Sequence, residues 1–272
     1  MNAAWDRAFP QCQHDAAGRR TLQSMRCGIR ALTTPPWAQD IGHADHSAVQ
    51  GLLNNPAAPL QVLDLPAGQS WGAGLPSFAW TLQRHTRQVR IGEGDPIESW
   101  PATRRKQLRR AEREGYTAEP TKEIEDILML HQAARKRKGI KSDGAALERL
   151  LQALFEEPDS HAWVVRHADG RALASGLFHG DGQGRCIYGF GGQQRMDEPG
   201  VSSRATVLLI AAAMRHAAKN GASTFDFGGS ADPGVDRFYA EFGAEKVDKV
   251  RIVQSAWWLK PALRFIRPDL MG

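Results

Sequence analysis

Thr224 to Ala244, TFDFGGSADPGVDRFYAEFGA, packs a strand, a glycine turn and a short helix into 21 residues, and so tight a succession restricts what the chain can fold into. From Thr224 to Phe227 apolar and polar residues alternate as on a half-buried strand, with Phe225 and Phe227 on one face and Asp226 on the other. Gly228 and Gly229 end that strand. Lacking Cβ, they accept the positive φ of a tight turn and let a ligand or another backbone come close, which puts the Asp226 carboxylate at a strand's carboxyl end with room beside it. A helix then starts at Pro233, with Asp232 as its N-cap and Phe238 and Phe242 on one face; Gly243 stops it.

The second informative stretch is Glu98 to Gly115, ESWPATRRKQLRRAEREG. On a helical wheel Arg105, Lys106, Arg109, Arg110 and Arg113 fall within an arc of roughly 140°, opposite Trp100, Leu108 and Ala111. Like charges at i,i+4 repel, so this face either dissolves in water or meets an anion. Charge counting favours a partner: Arg104 to Lys141 carries a local +6, which leaves the other residues at −1 against an overall +5. Basicity so localised points to an anionic partner.

The rest of the chain supplies the frame. A helix from about Thr121 has Ile124, Ile127, Leu128 and Ala134 on its apolar side, with His131 read as a packed histidine, and ends in the cations Arg135 to Lys138 before Gly139. Leu147, Leu150, Leu151, Leu154 and Phe155 give Ala145 to Phe155 a face that must be buried. Strands are expected at His161 to Arg166, Ala172 to Phe178 and Arg185 to Phe190, then a long helix from Ser203 to Asn220. Before residue 98 the signals are shorter. Residues 1 to 32 are weakly patterned, Pro35, Pro36 and Trp37 form an extended segment, a helix lies near His46 to Leu53, and strands are expected at Leu60 to Leu65 and about Arg87 to Ile91, with a glycine-rich turn at Gly68 to Gly74 between them.

Exclusions are few but useful. The longest uninterrupted apolar run, Val207 to Met214, is too short to span a bilayer, and charges interrupt any leader near the start, so a cytoplasmic protein without a transmembrane segment is expected. Cys12, Cys27 and Cys186 lack the spacing of a disulfide framework or a zinc site, so no metal is expected. The tail from Trp257 to Gly272 mixes Trp257, Trp258, Phe265 and Ile266 with Lys260, Arg264 and Arg267; it suits docking on the protein, on a second copy of the chain or on a membrane interface.

The DFGGS strand, the PGV-x-x-F-x-x-x-FGA helix and the basic strand after them resemble the closing unit of acyltransferases with the GNAT (N-acetyltransferase) fold, and more narrowly its Fem-type branch, which includes the aminoacyl-tRNA-dependent peptidoglycan aminoacyltransferases. The stretch from Arg104 to Gly115 resembles the K-x-x-R-R-x-I-x-x-A-x-x-x-G element that joins the two halves of Fem-type proteins, while TTPPWAQDIG resembles their early proline-aromatic segment only loosely. The resemblance implies an α+β fold: a mixed, mostly antiparallel sheet flanked by helices over residues 98–256, a shortened and divergent GNAT-like half over 1–97, and the tail 257–272.

It further implies acyl or aminoacyl transfer from acyl-CoA or aminoacyl-tRNA to an amine, by direct attack, with tRNA a candidate partner. Gly191 to Arg204, GGQQRMDEPGVSSR, stands where GNAT acetyltransferases hold a pyrophosphate but lacks their glycine pattern. Candidate binding residues are therefore Arg105, Lys106, Arg109 and Arg110 with Gln194, Ser202, Ser203 and Arg204. Candidate catalytic residues are Asp226 as base or amine binder and Tyr239 as acid for the leaving group. Two other classes stay open: a catalytically silent module that binds RNA or a nucleotide-linked ligand, and a subunit completed by another protein.

Overall fold

The computed structural model describes residues 3–14, 20–26, 28–38, 46–72, 74–139, 143–229 and 232–271. Cys27, Ser230 of the DFGGS string and residues 39–42 of the proline-aromatic segment lie outside the described residues. In chain order come α1 (Ala4–Ala8), β1 (Cys12–His14), β2 (Arg20–Arg26), β3 (Ile29–Thr33), α2 (His46–Asn54), β4 (Leu60–Asp64) and β5 (Ala79–Arg90). They are followed by α3 (Ala102–Arg113), β6 (Thr117–Pro120), α4 (Ile124–Arg137), α5 (Gly144–Phe155), β7 (His161–Arg166), β8 (Ala172–Gly180) and β9 (Arg185–Gln193). Last come α6 (Val201–Lys219), β10 (Thr224–Asp226), α7 (Pro233–Ala240), β11 (Glu245–Ser255) and α8 (Lys260–Ile266).

Contacts divide the chain into two compact units, one of residues 1–8 with 87–245 and one of residues 9–86 with 246–272. The first contains a sheet in the order β5 (residues 87–90), β10, β9, β8, β7, β6. Its pairs are antiparallel except β10 with β9, which is parallel. Helices cover both faces, as alternate residues of β7 record: Val164 packs with Leu130 of α4, whereas Val165 belongs to the core that α6 fills. Val207, Leu209, Ile210, Ala211, Ala213 and Met214 of α6 are all fully buried. The expected α+β architecture, mixed and mostly antiparallel with flanking helices, is therefore the one observed, and β10 is an internal strand with Phe225 and Phe227 in the core.

The second unit holds β1, β2, β3, β4 and β11, followed by residues 79–86 of β5. Val49, Leu53, Leu63, Leu65, Val250 and Ile252 form its core, and a bidentate Arg251–Asp64 pair at 2.7 and 2.8 Å ties β11 to β4. The sequence patterning missed β1, β2, β3 and β6, and β5 begins eight residues ahead of its expected start. β6 pairs on one side alone and ends in Pro120, and an edge strand needs no alternating apolar face to hold its place.

One feature of the first unit makes its stability depend on acid. His161 of β7 lies against Phe178, with ring centroids 5.4 Å apart, and against His216 of α6 at 4.2 Å. Burial, reinforced by His216 and His179, pushes the His161 pKa from 6.5 down to about 3. Between those values the unfolded chain binds the proton and the folded one does not, so stability falls as pH drops through that window. His161→Phe is expected to flatten the fall in urea midpoint between about pH 7 and about pH 4.5. The same slope in both proteins would remove His161 from this role.

Candidate active site

β9 and β10 run side by side for three residues only, pairing Thr224 with Arg185, Phe225 with Cys186 and Asp226 with Ile187. β9 continues to Gln193, still paired with β8, while the chain after Asp226 turns away at Gly228 and Gly229, whose φ values are +74° and +76°. The two parallel strands thus part beyond Asp226 and Ile187. A Cβ on Gly228 would stand 2.5 Å from the Tyr188 carbonyl oxygen, so glycine is required where the turn crosses β9.

A bulge shapes the same place. Leu177 pairs with Phe190 but Phe178 with Tyr188, which leaves Gly189 as an extra residue on β9. The slip brings Tyr188 onto the face of Gly191. Its ring lies where a Cβ on Gly191 would collide with the hydroxyl, and where one on Gly176 would come within 2.8 Å of the ring. At Gly192 a Cβ would run into the backbone of α4 at Leu130. The glycines of β8 and β9 therefore make room for one tyrosine and one helix.

Tyr239 of α7 faces this tyrosine, with ring centroids 6.5 Å apart, and stacks on Phe227 at 4.6 Å. Burial raises the pKa of both phenols, and in Tyr188 the neighbouring Tyr239 adds to it, so each keeps its proton at neutral pH. Cys186, near the start of β9, is no nucleophile at neutral pH: burial first, then the charges of Asp226 and Asp181, push its thiol up to about 12.

Asp226 sits differently from the expected base. It is fully buried, and its carboxylate accepts from the Gly228 N–H at 2.8 Å, from Gln88 at 2.7 Å and from Arg185 at 3.3 Å. Arg185 also reaches Asp181 at 2.9 Å. This geometry suits a carboxylate that fixes the glycine turn and the end of β10.

Of the cationic face, Arg105, Lys106, Arg109, Arg110 and Arg113 are all exposed on α3. Arg110 shares Glu114 with Arg204, each donating at 2.7 Å, which joins the end of α3 to the first turn of α6. Burial works against the Glu114 charge, yet hydrogen bonds from Arg110, Arg204 and Tyr116 hold the carboxyl below its usual range. Arg204 is itself buried and also meets Glu198 at 3.4 Å, so its guanidinium is committed to carboxylates. The Ser202 hydroxyl donates to the Gln194 carbonyl at 2.6 Å and Thr206 to Gln193 at 2.7 Å, which pins the loop ahead of α6; the Gln194 side chain is exposed and Ser203 half-buried.

Two functional-looking residues were not anticipated. Tyr188 depends on the bulge, of which the run of glycines in GFGG is the only trace in the sequence. Arg104 occupies the apolar stripe of α3 with Leu108 and Ala111, almost wholly buried, its guanidinium 4.2 Å from the Phe238 ring and 4.8 Å from Phe242, and paired with Glu241. Among the described residues no group of three or more His, Cys, Asp or Glu side chains could hold a metal ion.

Comparison with known proteins agrees with this fold. The chain belongs to the acetyltransferase (GNAT) domain family, whose profile matches residues 102–239, just over half of it. Among solved structures it is similar to FemX, with TM-score 0.64 at 14% identity over 97% of this chain and 93% of that one. It is likewise similar to the C-terminal domain assigned to a lysylphosphatidylglycerol synthetase of Agrobacterium fabrum (TM-score 0.64, 12% identity, 99% and 92% covered) and to L-PGS from Bacillus licheniformis (TM-score 0.61, 10% identity, 97% and 90% covered). No curated protein sequence matches.

Proposed function

We propose that this protein moves an acyl or aminoacyl group from a phosphate-bearing donor, acyl-CoA or aminoacyl-tRNA, to an amine by direct attack. The observation that carries this reading is the parting of β9 from β10 beside the Gly189 bulge, because past Ile187 the described residues show no ladder pairing on the β10 side of β9, the edge at which backbone N–H groups would polarise an acyl carbonyl. The amine nitrogen adds to the carbonyl carbon and the intermediate collapses. The bond to the thiol or ribose oxygen then breaks, and the leaving group takes its proton from Tyr239. The proton shed by the amine restores the phenol. Cys186 takes no part, since its thiol stays protonated, and Asp226 positions the turn.

The donor's phosphates meet Arg105, Lys106 and Arg109, with Arg110 at the junction with α6 and the pinned loop of Gln194, Ser202 and Ser203 alongside; Arg204 acts through Glu114. Offering acetyl-CoA and an aminoacyl-tRNA separately tests the reading: one of them is expected to raise Tm and to be consumed when a primary amine is added. Arg105→Glu with Arg109→Glu should weaken that donor on the order of tenfold and flatten its salt dependence while Tm holds. Binding without turnover would leave a silent binding module; no binding of either donor defeats the proposal.

A further inference from the structure

We infer that the second unit carries a docking surface for an anionic lipid bilayer. Among the described residues seven large apolar side chains are exposed, and six of them belong to this unit: Met25, Phe78, Trp257, Trp258, Phe265 and Ile266. Isolated exposed hydrophobics need no explanation, but four of these stand at one end of the sheet and two on the helix that follows.

Strand register shows where. Ser24 of β2 lies opposite Ala31 of β3, Ala31 opposite Leu60 of β4, and Leu60 opposite Ser255 of β11. The Ser255 N–H in turn donates to the Phe78 carbonyl at 3.1 Å, so one rank crosses the sheet. Phe78 ends that rank, and just past it stand Met25 and, two and three residues beyond Ser255, Trp257 and Trp258, with Arg30 exposed beside Met25. α8 follows at once, anchored through Leu259, Leu263 and Leu270, all buried, while Phe265 is 88% and Ile266 69% exposed. Phe78 has φ +64°, a conformation that costs a bulky residue energy, yet the strain holds a ring that is 52% exposed.

Charge selects the partner. Arg30 and Arg264 are exposed, Lys260 is half-buried with its ammonium 5.0 Å from the Trp80 ring, and Arg264 makes no ion pair among the described residues; Arg267 is neutralised by Asp269 at 2.8 Å. Indole rings at headgroup depth with cations around them fit the interface of a membrane bearing negative lipids. A protein partner would gain from the apolar residues but gives no reason for the cations.

Co-sedimentation with vesicles tests this on the full chain. Binding is expected to phosphatidylcholine vesicles containing phosphatidylglycerol, with a blue shift of tryptophan emission, and to be roughly tenfold or more weaker to phosphatidylcholine alone. Phe265→Ser with Ile266→Ser, both solvent-facing and so harmless to folding, should lower the affinity at least about tenfold, and Arg264→Glu by a similar factor. The proposal is overturned if neither vesicle is bound or if both variants bind like the parent. It is equally overturned if the parent is a dimer that Phe265→Ser with Ile266→Ser dissociates, which would assign the surface to a second copy.

Discussion

Arg185→Met is expected to destabilise the first unit by about 3–5 kcal/mol, the largest effect of any single side chain outside its apolar core. The guanidinium bridges Asp181 at 2.9 Å and Asp226 at 3.3 Å, with only 13% of the Arg185 side chain exposed, 6% of Asp181 and none of Asp226. Methionine keeps most of the volume but leaves two buried carboxylates facing each other, and an uncompensated buried charge costs more than the pair contributes when intact. Asp226→Asn is milder, about 1–2 kcal/mol, because asparagine still accepts from Gly228 and Arg185 still has Asp181. The double variant should be less damaged than the two single costs combined imply. Urea unfolding at constant m measures all three. The same variants separate the roles open to Asp226: a base predicts lost turnover with unchanged stability, whereas a turn-fixing carboxylate predicts lost stability with much of the turnover kept. A midpoint for Arg185→Met equal to that of the parent would mean that the network contributes nothing.

What could be read ahead of the structure followed from periodicity and caps. α5 was legible because Leu147, Leu150, Leu151 and Leu154 repeat at helical spacing, and each is fully buried. α7 was legible from its ends, for the Asp232 carboxylate accepts from Gly234 and Val235 as an N-cap should, and Gly243 has φ +79°. The strands missed near the start fail for the opposite reason. Thr21 and Arg20 are buried on β2 while Met25 is exposed, so polarity there does not report which face is inside. In the candidate site the glycines and Asp226 stood out, but their use did not. Whether a carboxylate before a glycine turn points at a substrate or at its own turn depends on Gln88 and Arg185, 138 and 41 residues away in sequence. Arg104 was hidden by the run of cations around it; its position four residues before Leu108 was the available signal.

Tyr239→Phe is expected to lower kcat and kcat/KM together by roughly a hundredfold, the low end of what general acid catalysis provides. The substitution removes one oxygen and keeps the ring, whose stacking on Phe227 and contact with Tyr188 hold α7 in place, so Tm should hardly move. Burial raises the pKa of this phenol, which keeps it a proton donor across neutral pH and places any alkaline loss of rate above the range of an exposed tyrosine. Leaving groups provide the sharper test. A thiolate departs with little help, whereas a ribose alkoxide is far more basic and needs a proton as its bond breaks, so the deficit should be greater for an aminoacyl ester than for a thioester. Equal deficits for both donors, or a fall in Tm as large as the fall in rate, would make Tyr239 a packing residue and leave the proton to solvent.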